Sequence, residues 1–320
     1  MSFSTINLPK LAIQVAIEDG YINDGEFNKF KSTVEDKDRR IEMLKGNLKK
    51  HMWIAAKQLD DRFNFQKKAL AKQFPLLMAG MWNGSENLKP NDSIESVINQ
   101  GTLGIGFIGL AETLVALTGE HHGESEYSQS KGLEIIKMMK DEVGKISEYY
   151  KHNYAVLATP AEGLAGKFTA TDRKEFGVIP GVTDKNYYTN SNHVPVYYKC
   201  TAKHKAEIEC PYHKYTTGGH IFYVEMDSDP TKNVEAIEII NKIARNNDGG
   251  YISINHSQGR CNMCNYESND PNLVLGGKCP KCGEEHSWDI LQRITGYLSN
   301  TVTRWNSYKY DELMDRVQHT

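Results

Sequence analysis

Apolar residues recur at helical spacing in the first quarter of the chain. They do so over residues 8–19 and again over residues 37–73, where Ile41, Leu44 and Leu48 stand among many lysines and acidic residues. This spacing predicts two amphipathic helices, each with one buried face. The charged run at residues 35–40 is interpreted as the solvated start of the second helix.

The pattern changes in the middle of the chain. An apolar segment at residues 110–117 and a more polar one at residues 128–151 predict two further helices. A short apolar run at residues 154–158 predicts a buried strand. Thr159 is then the predicted N-cap of a helix and Pro160 its first residue.

The last part of the pattern predicts a sheet. Residues 176–192 are rich in Gly, Pro, Tyr and Asn and are typical of a functional loop. Strands predicted at residues 220–224 and 251–254 flank an amphipathic helix at residues 233–245. Alternation of strands and helices predicts an α/β fold, either an open sheet or a barrel.

Composition narrows the class of protein. The chain has 320 residues, of which 39% are hydrophobic and 25% charged, enough for one large core or two domains. No stretch has the length and apolarity of a membrane span, and no apolar signal segment opens the chain, so we expect a cytoplasmic protein. The net charge of -3 gives no global electrostatic reason to bind nucleic acid.

A glycine-rich run at residues 101–112 contains a formal G-x-G-x-x-G. The dinucleotide-binding fingerprint requires a strand immediately before it, whereas residues 89–100 are interpreted as a turn and a helix starting near residue 92. We therefore assign no nucleotide to this run and expect its glycines to allow close backbone packing. Glu112 lies inside the apolar segment that follows, and a buried carboxylate must be paired, protonated or functional.

Two Cys-x-x-Cys pairs carry the strongest spacing signal. They are separated by fourteen residues and consist of Cys261, Cys264, Cys279 and Cys282. Four thiolates at this spacing predict a closed tetrahedral zinc site with a structural role, and the glycines at residues 276–277 would give the second pair a tight approach. A redox-active dithiol is the main alternative, disulfides are less well supported, and iron could occupy four thiolates as well.

Two backbone features suggest further chemistry. The N-terminus of the helix predicted after Thr159 would offer free N–H groups to a phosphate, although many helices begin this way without binding anything. Gly296 lies in the run Arg-Ile-Thr-Gly-Tyr-Leu at residues 293–298. Glycine can lose an α-hydrogen and leave a planar radical with no Cβ to clash. An ordinary turn or bulge glycine is the alternative.

The order of these motifs resembles that of one family, the anaerobic (class III) ribonucleotide reductases. The resemblance runs over essentially the whole chain, through residues 4–9 (STINLP), 106–112 (GFIGLAE), 159–162 (TPAE), 175–185 (EFGVIPGVTDK), the two cysteine pairs and residues 293–298. It implies the second half of a ten-stranded α/β barrel at residues 1–256. A zinc-binding and glycyl-radical segment would follow at residues 257–320.

The resemblance also implies roles for individual residues. Gly296 would store the radical, and the four cysteines would bind zinc. The substrate-phosphate loop would consist of Thr159, Pro160, Ala161 and Glu162, while Asn7 matches an active-site asparagine near the ribose or formate and Glu112 is a further candidate. In such enzymes the glycyl radical generates a cysteine thiyl radical, which abstracts the ribose 3'-hydrogen so that the 2'-hydroxyl can leave. Formate commonly supplies the electrons.

One departure from the family pattern affects the expected activity. The family's thiyl cysteine lies upstream of the residue 4–9 motif, whereas no cysteine precedes Cys200 here. Cys200 and Cys210 lie at residues 197–212, whose family counterpart is not the finger loop. The chain is therefore expected to be the C-terminal half of a reductase, inactive without an N-terminal half.

The same resemblance implies several partners. They are a ribonucleoside triphosphate, the N-terminal half, an activating enzyme that uses S-adenosylmethionine and an iron–sulfur cluster, and a second copy in a homodimer. Two other classes of function stay open. The chain could be a radical-carrying or regulatory binding subunit without reductase activity, or a zinc-ribbon nucleic-acid binder, which the acidic balance disfavours.

Overall fold

The chain is described here from a computed structural model, over residues 2–226, 232–256, 258–268, 273, 277–285, 288–296, 298–299 and 305–319. Gly276 and Tyr297, which belong to the predicted cysteine and glycine motifs, lie outside the described residues. No helix in these ranges combines the length and apolarity needed to cross a membrane.

Helices and strands are interspersed along the chain. The helices are α1 (Leu8–Glu18), α2 (Val34–Gln66), α3 (Pro75–Met78), α4 (Glu95–Ile98), α5 (Leu110–Thr118), α6 (Glu126–Tyr150), α7 (Gly163–Phe176), α8 (Ala202–Glu209), α9 (Val234–Asn246) and α10 (Ser307–Asp315). The strands are β1 (Phe3–Asn7), β2 (Ile22–Asn23), β3 (Glu26–Phe27), β4 (Thr102–Ile108), β5 (Asn153–Ala158), β6 (Phe222–Glu225), β7 (Ile252–Asn255), β8 (Gln258–Cys261), β9 (Glu267–Ser268), β10 (Trp288–Arg293) and β11 (Leu298–Ser299).

A parallel sheet forms the centre of the first part of the chain. Its strand order is β1-β4-β5, and β4 is the glycine-rich run that the sequence left without a strand. Gly106 lies opposite Thr5 on one side and Leu157 on the other. A Cβ at Gly106 would lie 2.0 Å from Thr159 Oγ1, so the missing side chain is what allows the strand ends to pack closely.

The main core lies between this sheet and helices α1, α2, α5 and α6. Each helix contributes one apolar face, as the spacing predicts, including Ile41, Leu44 and Leu48 from α2. The interpretation of residues 35–40 as fully solvated is wrong at Arg40, which is completely buried. Its guanidinium bonds Asp19 Oδ2 at 2.9 Å and Leu117 O at 2.7 Å.

A second parallel pair, β6 and β7, packs with α8 and α9 around a smaller apolar cluster. A parallel bridge between Leu157 and Gly218 links the β5 strand to the chain just before β6. The predicted mixed α/β fold is confirmed. The parallel strands within the described ranges do not close a barrel, and the predicted boundary at residues 256/257 stays a prediction.

The C-terminal part contains an antiparallel sheet with the order β11-β10-β8-β9. Helix α10 packs against α7, where the Tyr308 ring lies over Gly166. A Cβ at Gly166 would lie 1.9 Å from the Tyr308 ring, so glycine is required for this contact. The last helix therefore returns to the part of the chain that carries the parallel sheet.

Two predicted helices have different bounds in the structure. Helix α2 ends at Gln66, and only a short 3₁₀ turn, Ala71–Gln73, follows where the spacing predicted one continuous helix to residue 73. The helix predicted near residue 92 is the single turn of α4. Backbone bonds from Ala71 N to Asp92 O and from Ile94 N to Ala69 O join these two short segments, a long-range pairing that periodicity does not record.

Candidate functional site

The predicted site residues meet at the carboxyl ends of the parallel strands. Asn7 ends β1, Glu112 lies in the first turn of α5 directly after β4, and Thr159 follows β5. Ligands of open α/β sheets bind at this edge. The structure therefore brings together three candidates that are more than forty residues apart in sequence.

Asn7 uses both ends of its side-chain amide. Its Oδ1 caps α1 by accepting from Lys10 N at 3.1 Å, and its Nδ2 donates to Asp172 Oδ2 at 2.7 Å. Asp172 also accepts from the Tyr188 hydroxyl at 2.9 Å, and burial raises the pKa of its carboxyl group. Asn7 thus joins the strand end to helix α7.

The Thr159–Glu162 turn differs from its prediction. Helix α7 begins at Gly163 with Glu162 at the N-cap position, so Thr159 is not the N-cap and Pro160 is not the first helical residue. The hydroxyl of Thr159 instead lies 3.1 Å from that of Thr5, at the end of the neighbouring strands. Ala161 N donates to Asn190 Oδ1 at 2.6 Å. The phosphate-binding role of this turn stays a prediction.

Glu112 is a buried carboxyl group with one satisfied oxygen. Its Oε1 accepts from the backbone N and the hydroxyl of Thr189, at 2.8 and 2.7 Å. Its Oε2 has no hydrogen-bond partner among the described residues. Burial raises the pKa of Glu112 from 4.5 to about 7, and the two bonds from Thr189 oppose this shift. The group can therefore exist protonated near neutral pH.

Gly296 lies exposed at the end of β10, in a bend. A Cβ at this position would meet no heavy atom within 4 Å. The residue before it is held closely, because Thr295 O accepts from the Tyr223 hydroxyl at 2.6 Å and Thr295 Oγ1 donates to Glu162 Oε1 at 3.1 Å. The second bond places the Gly296 bend beside the Thr159–Glu162 turn.

A cavity lies next to this contact. Its water-accessible volume is about 60 Å³, and its walls include Pro160, Thr189, His193, Tyr223 and Thr295. Neither Cys200 nor Cys210 is among the described residues that line it. Burial raises the pKa of the Cys200 thiol to about 11 and that of Cys210 to about 12.

The four knuckle cysteines form one cluster. All four Sγ atoms lie within 4.8 Å of one another, with Cys261 to Cys282 and Cys264 to Cys279 each at 3.7 Å. A tetrahedral zinc site with bonds of about 2.3 Å has sulfur–sulfur edges of about 3.8 Å. The same distances are too long for a disulfide, whose sulfurs lie about 2.05 Å apart. The donor set therefore fits a four-thiolate metal ion.

The two knuckles share one backbone conformation. In each, the residue after the second cysteine has a positive φ, 59° at Asn265 and 78° at Gly283. That residue's N–H bonds the carbonyl of the first cysteine, Cys261 or Cys279, at 2.9 and 2.8 Å. Asn and Gly tolerate this left-handed conformation best. The signal that sequence reasoning missed is thus the residue directly after each pair.

Comparison with known proteins decides the family. The sequence model described as anaerobic ribonucleoside-triphosphate reductase matches residues 1–319. The chain belongs to this family. The resemblance carried by the ordered motifs is thereby confirmed.

Relatives within the anaerobic ribonucleoside-triphosphate reductase family are similar over most of this chain. The enzyme of Salmonella typhimurium is 32% identical over 281 residues, which are 82% of this chain and 39% of that protein. The enzyme of Enterobacteria phage T4 is 30% identical over 321 residues, covering 98% of this chain and 48% of that protein. The chain thus spans less than half the length of these curated relatives.

Solved structures agree on the fold. A structure of the anaerobic ribonucleotide reductase from Thermotoga maritima with glycerol in the active site superimposes with a TM-score of 0.66. The match covers 98% of this chain and 44% of the Thermotoga maritima chain, at 17% sequence identity. A further structure, described as anaerobic ribonucleotide reductase, has a TM-score of 0.61 at 18% identity. At such identities the likeness establishes the fold alone.

Several residues around the reductase family's glycine motif were missed by sequence reasoning. Arg316 donates to Arg293 O at 3.2 Å and to Ile294 O at 2.8 Å, and Asn190 joins Ala161 to Glu312. The available signal was the spacing of Lys309, Glu312 and Arg316, which puts two charges on one face of α10 and a third at its C-cap. Such a face is usually solvated, but here Lys309 and Glu312 are buried.

Proposed function

We propose that this chain is the C-terminal portion of an anaerobic ribonucleoside-triphosphate reductase that stores a radical on Gly296. The observation that carries the proposal is the bond from Thr295 Oγ1 to Glu162 Oε1. It holds the exposed glycine beside the turn at the carboxyl end of β5, close to the predicted substrate site. An ordinary turn glycine would need no such placement.

The reductase reaction would need a thiol that this chain does not place at the cavity. Neither Cys200 nor Cys210 lines it in the described residues, so the thiyl cysteine would come from the remainder of the enzyme. The thiyl radical would take the ribose 3'-hydrogen, and the 2'-hydroxyl would leave as water. Formate would supply two electrons and a hydrogen, so that ribonucleotide, formate and one proton give deoxyribonucleotide, carbon dioxide and water.

The remaining site residues would bind and orient the substrate. The Thr159–Glu162 turn would face the triphosphate, with Asn190 fixing Ala161, and Asn7 would face the ribose or formate. Glu112 would set the position of Thr189 at the cavity wall and, with a pKa of about 7, could hold or release a proton there. These roles rest on the family motifs and on their meeting at one sheet edge.

The metal site would be structural. Cys261, Cys264, Cys279 and Cys282 would bind zinc, although four thiolates also suit iron. All four positions would be filled by sulfur, so the ion would hold the two Cys-x-x-Cys pairs together and leave no position open for substrate.

Assembly with other polypeptides would complete the enzyme. In the described part of the chain, β1 pairs with β4 on one side only, and an unpaired strand edge can accept another strand. An N-terminal half would supply that strand and the thiol. A radical S-adenosylmethionine enzyme would generate the radical on Gly296, and the assembled enzyme would form a homodimer.

Electron paramagnetic resonance tests the proposal. The chain would be activated without oxygen by a family activating enzyme, alone and together with an N-terminal half from a relative. We expect a glycyl-radical signal in both samples and deoxyribonucleotide formation only in the mixture. Gly296→Ala should abolish the signal. Gly144→Ala, an α6 position where a Cβ meets nothing within 4 Å, should leave it intact. No signal in the unsubstituted chain would refute radical storage.

A radical-carrying subunit without reductase activity is the second candidate. It is favoured by the same absence of a cysteine from the described cavity wall. A signal on Gly296 with no product in any mixture would select this candidate over the reductase.

A further inference from the structure

Three consecutive carbonyl groups before Gly296 are fixed by side chains from elsewhere in the chain. Arg293 O and Ile294 O both accept from the Arg316 guanidinium, at 3.2 and 2.8 Å. Thr295 O accepts from the Tyr223 hydroxyl at 2.6 Å and also from Arg293 Nη1 at 3.2 Å. Bonds to a charged donor are stronger than neutral ones, so Arg316 contributes most to this anchoring.

Arg316 is itself held rigidly. Its Nη2 bonds Glu312 Oε1 at 3.0 Å, and its Nη1 lies 3.8 Å from Glu225 Oε1. Only 11% of its side chain is exposed. Burial lowers the pKa of the Arg316 guanidinium, but Glu225 and Glu312 more than offset this and the net pKa is raised. The cation is therefore permanent and has little freedom to move.

The chain around Arg316 is anchored on both sides. Before it, Asp315 accepts from Lys185 Nζ at 3.0 Å and from the Tyr187 hydroxyl at 2.7 Å. After it, Val317 N donates to Val196 O at 3.0 Å, and His319 exchanges two bonds of 3.0 Å with the Glu225 backbone. Arg316 thus ties a firmly docked C-terminal segment to the backbone that leads to Gly296.

We propose that Arg316 is a positioning residue that fixes Gly296 for radical transfer, an inference that rests on the proposed radical function. The planar guanidinium spans two neighbouring carbonyls at once, which a lysine ammonium cannot do with the same geometry. Hydrogen-atom transfer requires the donor and acceptor atoms to be held at close range, so a small displacement of the glycine slows the reaction greatly. Arg316, Tyr223 and Thr295 also line the cavity beside the Thr159–Glu162 turn, so the test has to separate placement of the glycine from substrate binding.

Amide hydrogen exchange of the unactivated chain tests the anchoring without any radical. In Arg316→Gln we expect exchange of peptides containing residues 293–296 to accelerate at least about tenfold, because without the bonds to Arg293 O and Ile294 O this backbone opens more often and exposes its N–H groups. Lys185→Gln is the matched control, since it removes an anchor of the same segment that does not touch residues 293–295. Equal acceleration in both variants, or none in Arg316→Gln, overturns the proposal.

Turnover of the activated, assembled enzyme tests the consequence. For a residue that acts by placing the glycine, Arg316→Gln should lower kcat about tenfold or more and leave the KM for nucleotide within about twofold. Arg316→Lys should recover part of kcat by keeping one charged donor. A rise in KM with kcat unchanged overturns the proposal. If the unsubstituted enzyme forms no radical, the proposed function fails, while the exchange experiment still decides whether Arg316 anchors the glycine.

Discussion

Asn7 Nδ2 donates to Asp172 Oδ2 across 2.7 Å and so connects the end of β1 to helix α7. Asn7→Asp would keep the side-chain oxygen that accepts from Lys10 N at the start of α1. It would replace the Nδ2 donor with a second carboxylate oxygen beside the buried carboxylate of Asp172. We expect the variant to lose about 2 to 4 kcal/mol of unfolding free energy at pH 7, because two like charges would share a partly buried site. Urea denaturation measures the loss.

The pH dependence provides the check on that explanation. Burial already raises the pKa of Asp172, so one carboxyl group of the pair should protonate readily on acidification. Much of the loss of unfolding free energy in Asn7→Asp should therefore disappear at pH 5. Asn153→Asp is the control, because Asn153 is an exposed residue that bonds Thr102 Oγ1 at 2.7 Å. A loss of equal size at both pH values would point to packing instead of charge.

Glu112 should make stability fall as pH rises. Its pKa is about 7 in the folded chain and 4.5 when free, so between these values the folded state keeps a proton that the unfolded state has lost. Glu112→Gln resembles the protonated form and keeps an acceptor for Thr189. The free energy of unfolding of the variant should equal that of the unsubstituted chain at pH 4 and exceed it by up to about 3 kcal/mol at pH 8. Denaturation curves at both pH values measure this difference. Equal stability at pH 8 would show that the carboxyl group ionises normally.

Arg40 and Arg39 are neighbours that both pair with Asp19, but only Arg40 is completely buried. Arg40→Met should cost about 3 to 5 kcal/mol of unfolding free energy, since Leu117 O loses a buried donor and Asp19 loses its buried partner. Arg39→Met should cost less than about 1 kcal/mol because the Arg39 side chain is 47% exposed and Asp19 keeps its buried partner Arg40. Thermal and urea unfolding of the two variants would measure the contrast, and similar costs would contradict it.

The four-cysteine site should bind about one equivalent of zinc. Cys282→Ser should lose most of it, while Cys200→Ser, outside the cluster, should retain it. Removal of the ion by a chelator should increase hydrogen exchange in the β8 and β10 strands first, because binding energy of the metal stabilises the knuckles directly. Metal analysis by mass spectrometry gives the stoichiometry and also identifies iron, if iron is the ion bound. Full zinc content in Cys282→Ser would refute the assignment.

Features formed by residues close in sequence could be predicted, whereas contacts between distant segments could not. The cysteine cluster is predictable because each pair of ligands lies in one short turn. Strand β4 escaped recognition because Gly104 and Gly106 interrupt its apolar pattern. Their space is filled by Phe3 and Thr159, which no local window contains. Glycine lowers strand propensity, so the local sequence of residues 102–108 did not predict strand β4.

The solvent exposure of charged residues was also predicted wrongly, for a similar reason. Arg40 stands in a polar run that normally faces solvent, yet it is buried and donates to Leu117 O from a distant segment. The predicted Thr159 N-cap is wrong because the helix begins four residues later, at Gly163, with Glu162 at the N-cap position. Family motifs located the candidate residues, but the contacts that orient them, through Asn190 and Arg316, depend on tertiary structure.

Strand β10 has one end at the metal cluster and the other at the glycine. Its first residue, Trp288, pairs with Cys261, and its last, Arg293, pairs with Leu298 across the bend that contains Gly296. Five residue steps of antiparallel strand make a stiff spacer of about 17 Å. An ion in the cluster would thus determine the location of a distant backbone carbon without touching it. Its influence would be mechanical, and a metal with longer bonds to sulfur would shift the far end of the spacer.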